Sequence, residues 1–165
     1  MNWYVLFVQT LYEDKLCAFL NRSEGIHAFS AKLEYYRRDR KTNELKSLFP
    51  GYVFVKTDFD QLEFNEWLRK QEVKKGFIKQ LQYDHVSALQ KEEIQILTVL
   101  LNEYHVLPMS YGHLENNKIV IDHGTLKGLE SYIVKYEVKR NRLASLDLFF
   151  LNQRWIAGVS LERKE

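Results

Sequence analysis

Apolar residues run almost without a break from Trp3 to Val8, with Gln9 closing the run, which predicts a strand covered on both faces and central in a sheet. The period then changes. Over residues 13–22, Leu16, Phe19 and Leu20 fall on one helical face with Lys15 and Arg22 off it, predicting a first helix that Gly25 ends. Residues 27–36 read as a second strand, and the charged stretch 37–46 as an exposed hairpin or loop. A third strand is expected over residues 51–56. A second helix follows over 59–71, with Leu62, Trp67 and Leu68 buried, and then a strand over 76–81. Ser87 with Gln90 fits a capping box, and Ile94, Leu97, Leu101 and Tyr104 continue a third helix at intervals of three and four. This order packs naturally as a mixed sheet with helices on its faces, an α/β sandwich.

Beyond Tyr104 the periodicity lapses through Pro108, Ser110, Gly112, Asn116 and Asn117, a composition that suits a linker. From Lys118 the pattern is β only, with short strands expected over 119–121, 132–134, 143–151 and 155–160. Strands so short and closely spaced point to a small all-β barrel. The expected division is residues 1–105 for the first domain, 106–117 for the linker and 118–165 for the second. A length of 165 residues accommodates two small domains.

Composition narrows the function classes. The hydrophobic fraction of 45% with 28% charged excludes a disordered chain. Lys and Arg total 24 against 22 Asp and Glu, so any nucleic-acid site must come from local clustering. The single cysteine, Cys17, lies in an apolar setting and reads as a small core residue. No apolar run approaches a membrane span and no signal-peptide pattern opens the chain, so a cytoplasmic protein without membrane association is expected. His27, His85, His105, His113 and His123 lack metal-ligand spacing, and neither a phosphate loop nor a nucleophile elbow is present. The expectation is a non-enzyme that needs neither metal nor cofactor.

Two segments carry a family resemblance. Leu48 to Val55, reading Leu-Phe-Pro-Gly-Tyr-Val-Phe-Val, resembles the signature strand of the NusG N-terminal domain, and Trp3-Tyr4-Val5 resembles that domain's opening strand. The segment Gly124-Thr125-Leu126-Lys127-Gly128-Leu129-Glu130 resembles a KOW motif, with Thr125 where Pro is common and Ser131 where a third Gly is frequent. Together they imply a NusG-like bacterial transcription elongation factor, an N-terminal domain followed by a KOW domain. Ser110-Tyr111-Gly112 and the basic stretch Lys139-Arg140-Asn141-Arg142 are similar to the specialised LoaP group of antiterminators.

Within this frame three constellations are candidates. Tyr52 and Phe54 share one strand face beside Phe49. On packing alone both faces could simply be buried. The resemblance implies an apolar patch that docks on the clamp helices of RNA polymerase's largest subunit. The second comprises Arg37, Arg38, Arg40, Lys41 and Lys46, interrupted by Asp39 and Glu44 and extended by Lys74, Lys75 and Lys79, and is either a solvated loop or a contact for upstream or non-template DNA. The third comprises Lys127, Lys135, Lys139, Arg140, Arg142 and Arg154, with Tyr132, Tyr136 and Trp155 among or near them. It is either a solvated face or a site for a nascent leader RNA hairpin. The leading expectation is processive antitermination. The alternatives are a general NusG-like factor coupling polymerase to a ribosomal protein or termination protein, and a translation-associated KOW RNA-binding protein.

Overall fold

The first strand, β1 (Asn2–Val8), is central because its alternate residues are apolar on both sides. The computed structural model describes residues 1–72, 74–82, 89–137, 142–150 and 153–162. After β1 come α1 (Glu13–Leu20), β2 (His27–Phe29), β3 (Lys32–Arg37), β4 (Thr42–Ser47), β5 (Tyr52–Thr57), α2 (Gln61–Lys70), β6 (Phe77–Gln80) and α3 (Lys91–Leu100). The remainder is β7 (Val106–Leu107), β8 (Ser110–Glu115), β9 (Lys118–His123), a 3-10 turn (Glu130–Tyr132), β10 (Ile133–Glu137), β11 (Leu143–Phe150) and β12 (Gln153–Glu162). The chain divides into two compact units, residues 1–31 with 49–95, and residues 32–48 with 96–165.

The first unit is built on a four-stranded sheet of order β2-β5-β1-β6. One face carries Tyr4, Leu6 and Val8 of β1 with Val53 and Val55 of β5. These bury against Leu16, Cys17 and Leu20 of α1 and Phe64 and Leu68 of α2. Tyr4 stacks on Phe64 at 4.2 Å between ring centroids, and its hydroxyl donates to the Phe59 carbonyl. Helix α2 starts where Asp60 accepts from the Glu63 backbone N–H while the Glu63 carboxylate accepts from that of Asp60, a complete capping box. The expected buried stripe is shifted: Phe64 and Leu68 are buried, whereas Leu62 points to solvent.

The second unit holds a three-stranded sheet, β4-β3-β7, and a five-stranded sheet, β10-β11-β12-β8-β9, in which β12 and β8 run parallel. Its buried residues include Leu33, Leu107, Met109, Ile121, Leu126, Leu146, Trp155 and Val159. Gly158 of β12 passes so close to the Glu34 carbonyl of β3 and the Met109 sulfur that a Cβ there would collide with both. The Met109 N–H donates to the Glu34 carboxylate at 2.8 Å.

Three expectations change. The strand expected over 27–36 is two strands in different sheets, since β2 pairs with β5 and β3 with β4 and β7. Residues 106–117, expected as linker, carry β7 and β8. Asn116 and Asn117, both at positive φ (52° and 63°), form the two-residue turn that joins β8 to β9, the geometry a tight hairpin requires. The expected barrel is an open five-stranded sheet, with no pairing between β9 and β10 among the described residues. The Ser87 cap lies outside the described residues, although Gln90 N–H donates to the Glu93 carboxylate at the start of α3.

Candidate functional site

Strand alternation and antiparallel register assemble an aromatic face on the first unit's sheet, opposite α1 and α2. Trp3, Val5 and Phe7 of β1 lie across from Lys56, Phe54 and Tyr52 of β5, while His27 and Phe29 of β2 lie across from Lys56 and Phe54. Phe29 stacks on Phe54 at 5.2 Å, Phe49 meets Phe54 at 6.2 Å, Trp3 meets Phe29 edge-on at 5.7 Å, and Phe7 tilts against Tyr52 at 4.7 Å. At one end the Lys56 ammonium sits over Trp3 at 4.5 Å and Phe29 at 5.0 Å. Burial holds its pKa below the usual lysine value. At the other end Lys79 approaches Phe7 at 6.0 Å.

Phe49, Tyr52 and Phe54 thus share one surface, but the expected exposure is not found: they are 1%, 6% and 0% exposed. Phe54 is enclosed in part by Phe29 and Phe49, and Trp3, Val5 and Phe29 on the same face are buried with it. Half-buried Phe7, and the cations Lys56 and Lys79, form the accessible rim. Trp3, Phe7, Phe29 and Lys56 are absent from the candidates drawn from sequence. The alternation of Trp3 and Phe7 is visible in β1 and Lys56 alternates with Phe54 in β5, but only the strand register places Trp3, Phe7 and Phe29 beside Tyr52 and Phe54.

The glycine-rich segment of the second unit is held by two side chains. The Glu130 carboxylate accepts from the backbone N–H groups of Gly128 (3.1 Å) and Ile121 (3.2 Å), and the Ser110 hydroxyl accepts from that of Leu126 (3.4 Å). Gly124, at φ +120°, lies against Ser110 where any Cβ would collide. Burial pushes the Glu130 pKa up, but the backbone donors of Glu130, Gly128 and Ile121 and the charge of Lys127 outweigh it, leaving a lowered value.

The basic candidates separate by environment. In the β3–β4 turn, Arg37 pairs with Asp39 (2.9 Å) and Glu44 (3.7 Å), and Arg40 pairs with Glu44 (3.5 Å); Arg38 and Lys41 are exposed beside them. Lys74 donates to the Leu68 carbonyl at the end of α2, a capping role, while Lys75 lies over Tyr12 at 5.8 Å. Lys127 is exposed in the glycine-rich segment, and Lys135 approaches Glu137 at 4.0 Å. Arg154 donates to the Leu146 carbonyl and stacks over Phe149 at 4.5 Å. Arg142 stacks over Tyr36 at 4.5 Å and donates to the Ser160 hydroxyl. Lys139 and Arg140 lie outside the described residues. Trp155, placed near the charges by sequence order, is a core residue at 1% exposure.

A family model described as transcription termination factor NusG matches residues 1–98, more than half of the chain. The chain belongs to the NusG family. The match spans the aromatic face and the β3–β4 hairpin. No curated protein matches the chain. Factors of the NusG family bind RNA polymerase and act on transcription elongation and termination. Among the described residues, no helix of this NusG-family chain is long and apolar enough to cross a membrane. No group of three His, Cys, Asp or Glu residues is placed to hold a metal ion among the described residues.

Proposed function

We propose that this NusG-family protein is a non-enzymatic, cytoplasmic antiterminator that docks its aromatic sheet face on the clamp helices of RNA polymerase's largest subunit and reads a leader RNA hairpin with its second unit. The observation that carries the reading is the continuous aromatic face of β1, β2 and β5 in a chain whose first 98 residues match the family. An apolar centre with a charged rim, here Lys56 and Lys79, is the anatomy of a protein interface. Since Phe49 and Phe54 are buried, docking on the centre of the face requires it to be uncovered, and Phe7 with the rim is the part met first. Binding shifts the clamp equilibrium only by its differential affinity, so the factor must favour the closed, pause-resistant clamp. The basic turns of the second unit, near which upstream or non-template DNA would also pass, supply phosphate contacts.

A second reading follows from the description of the matching family as a termination factor. On it, the second unit recruits a termination or ribosomal protein and has no RNA preference. Transcription in vitro through a terminator placed downstream of a structured leader separates the two. Antitermination predicts readthrough that rises with added protein and disappears when the leader is scrambled; increased termination, or readthrough independent of the leader, would reject it.

A further inference from the structure

We infer that the β3–β4 turn and the adjoining part of the five-stranded sheet around Tyr111 and Arg142 form one continuous platform for an unpaired stretch of RNA, with phosphates on Arg38, Lys41 and Arg142 and a base stacked on Tyr111. This rests on the RNA-binding reading above, and adds that the platform includes a hairpin lying within the part of the chain that matches the NusG family. The two basic clusters are 100 residues apart in sequence at Arg40 and Arg140, yet the fold joins the first to Arg142. Tyr36 of β3 lies directly opposite Asn43 of β4, so the two share a face of the hairpin. On that face the Arg142 guanidinium covers the Tyr36 ring at 4.5 Å, and Asn43 donates to the Tyr111 hydroxyl at 3.1 Å.

Arg142 is fixed. Its carbonyl accepts from Val159 N–H at 2.9 Å, its guanidinium donates to Ser160, and its backbone holds a left-handed φ of +49°. A guanidinium held over a ring keeps further N–H groups for phosphate oxygens and loses little freedom on binding. Tyr111 is 44% exposed, so its ring has room for a base. The turn that follows the Tyr36–Asn43 pair carries Arg37, Arg38, Arg40 and Lys41, with Asp39 and Glu44 pairing with Arg37 and Arg40. Aromatic platforms beside cations suit splayed-out bases, whereas the bases of an A-form duplex are stacked away from such a surface.

The test is fluorescence anisotropy of the full chain with a labelled RNA stem-loop carrying a mixed-sequence loop, and with the same stem as a loopless duplex. Binding should favour the stem-loop. Arg38→Gln with Lys41→Gln should weaken it about tenfold and lower the slope of log affinity against log salt by about 1.4, two contacts' worth for a single strand. Tyr111→Leu should weaken it about tenfold with the slope unchanged. Arg142→Asn, which tolerates the left-handed backbone, should weaken it similarly, and Arg142→Lys should fail to restore it because the planar stack is gone. Thermal melts confirm that each variant folds. Wild-type affinity in the folded turn variant would overturn the joined platform while leaving RNA binding in place. Equal affinity for the duplex would overturn the unpaired ligand, and binding to neither RNA would overturn the RNA reading itself.

Discussion

Phe54 contacts Phe29 and Phe49 and has no solvent exposure, so truncating it removes a large buried side chain from a close-packed cluster. Phe54→Ala is expected to cost about 3–5 kcal/mol in chemical denaturation, which disqualifies it as a clean binding mutant. A cost below about 1 kcal/mol would mean that the ring is not packed as described. Glu130 behaves differently, since its carboxylate organises backbone donors. Glu130→Gln is expected to lose about 1–2 kcal/mol near neutral pH. Its folded pKa lies below the unfolded value, so this stabilisation is fully present above the ordinary carboxylate range and is lost as pH falls through the lowered folded pKa. Wild type and variant should therefore converge in acid melts; a constant difference down to the lowest pH would contradict the assignment. Tyr52 and Phe54 as face-sharing residues were legible from strand alternation. Their burial was not, because it depends on which rings the neighbouring strands supply.

At the scale of elements, capping chemistry gives a sharper test than hydrophobic periodicity. Asp60 starts α2 through its bond to Glu63 N–H, whereas the first turn of α1 has no side-chain cap at Tyr12. Asp60→Ala should lower stability by about 1 kcal/mol, measured by thermal or urea unfolding, and no change would show that the cap is not formed in solution. Helices and the central strands were readable because their periods are local. The break between β2 and β3 was not, for residues 27–36 contain neither Gly nor Pro and only long-range pairing sends the two halves to different sheets. Asn116-Asn117 suits a linker by composition, but the same residues fit a two-residue hairpin turn. The apolar residues on either side, Leu114 and Ile119, were the neglected signal.

For the whole molecule, the chain order of the two resemblances was readable from sequence, and the match over residues 1–98 establishes the family for the first of them. The grouping of residues 32–48 with the second unit was not readable, because it depends on contacts such as Glu34 with Met109 and Tyr36 with Arg142. The central claim is that polymerase docks on the aromatic sheet face. Its most direct measurement is the affinity of purified RNA polymerase for the wild-type chain and for Phe7→Ala combined with Lys79→Glu, changes at the accessible rim that leave the buried rings in place. The folded double variant is expected to bind at least about tenfold more weakly. Wild-type affinity in that folded variant would contradict it.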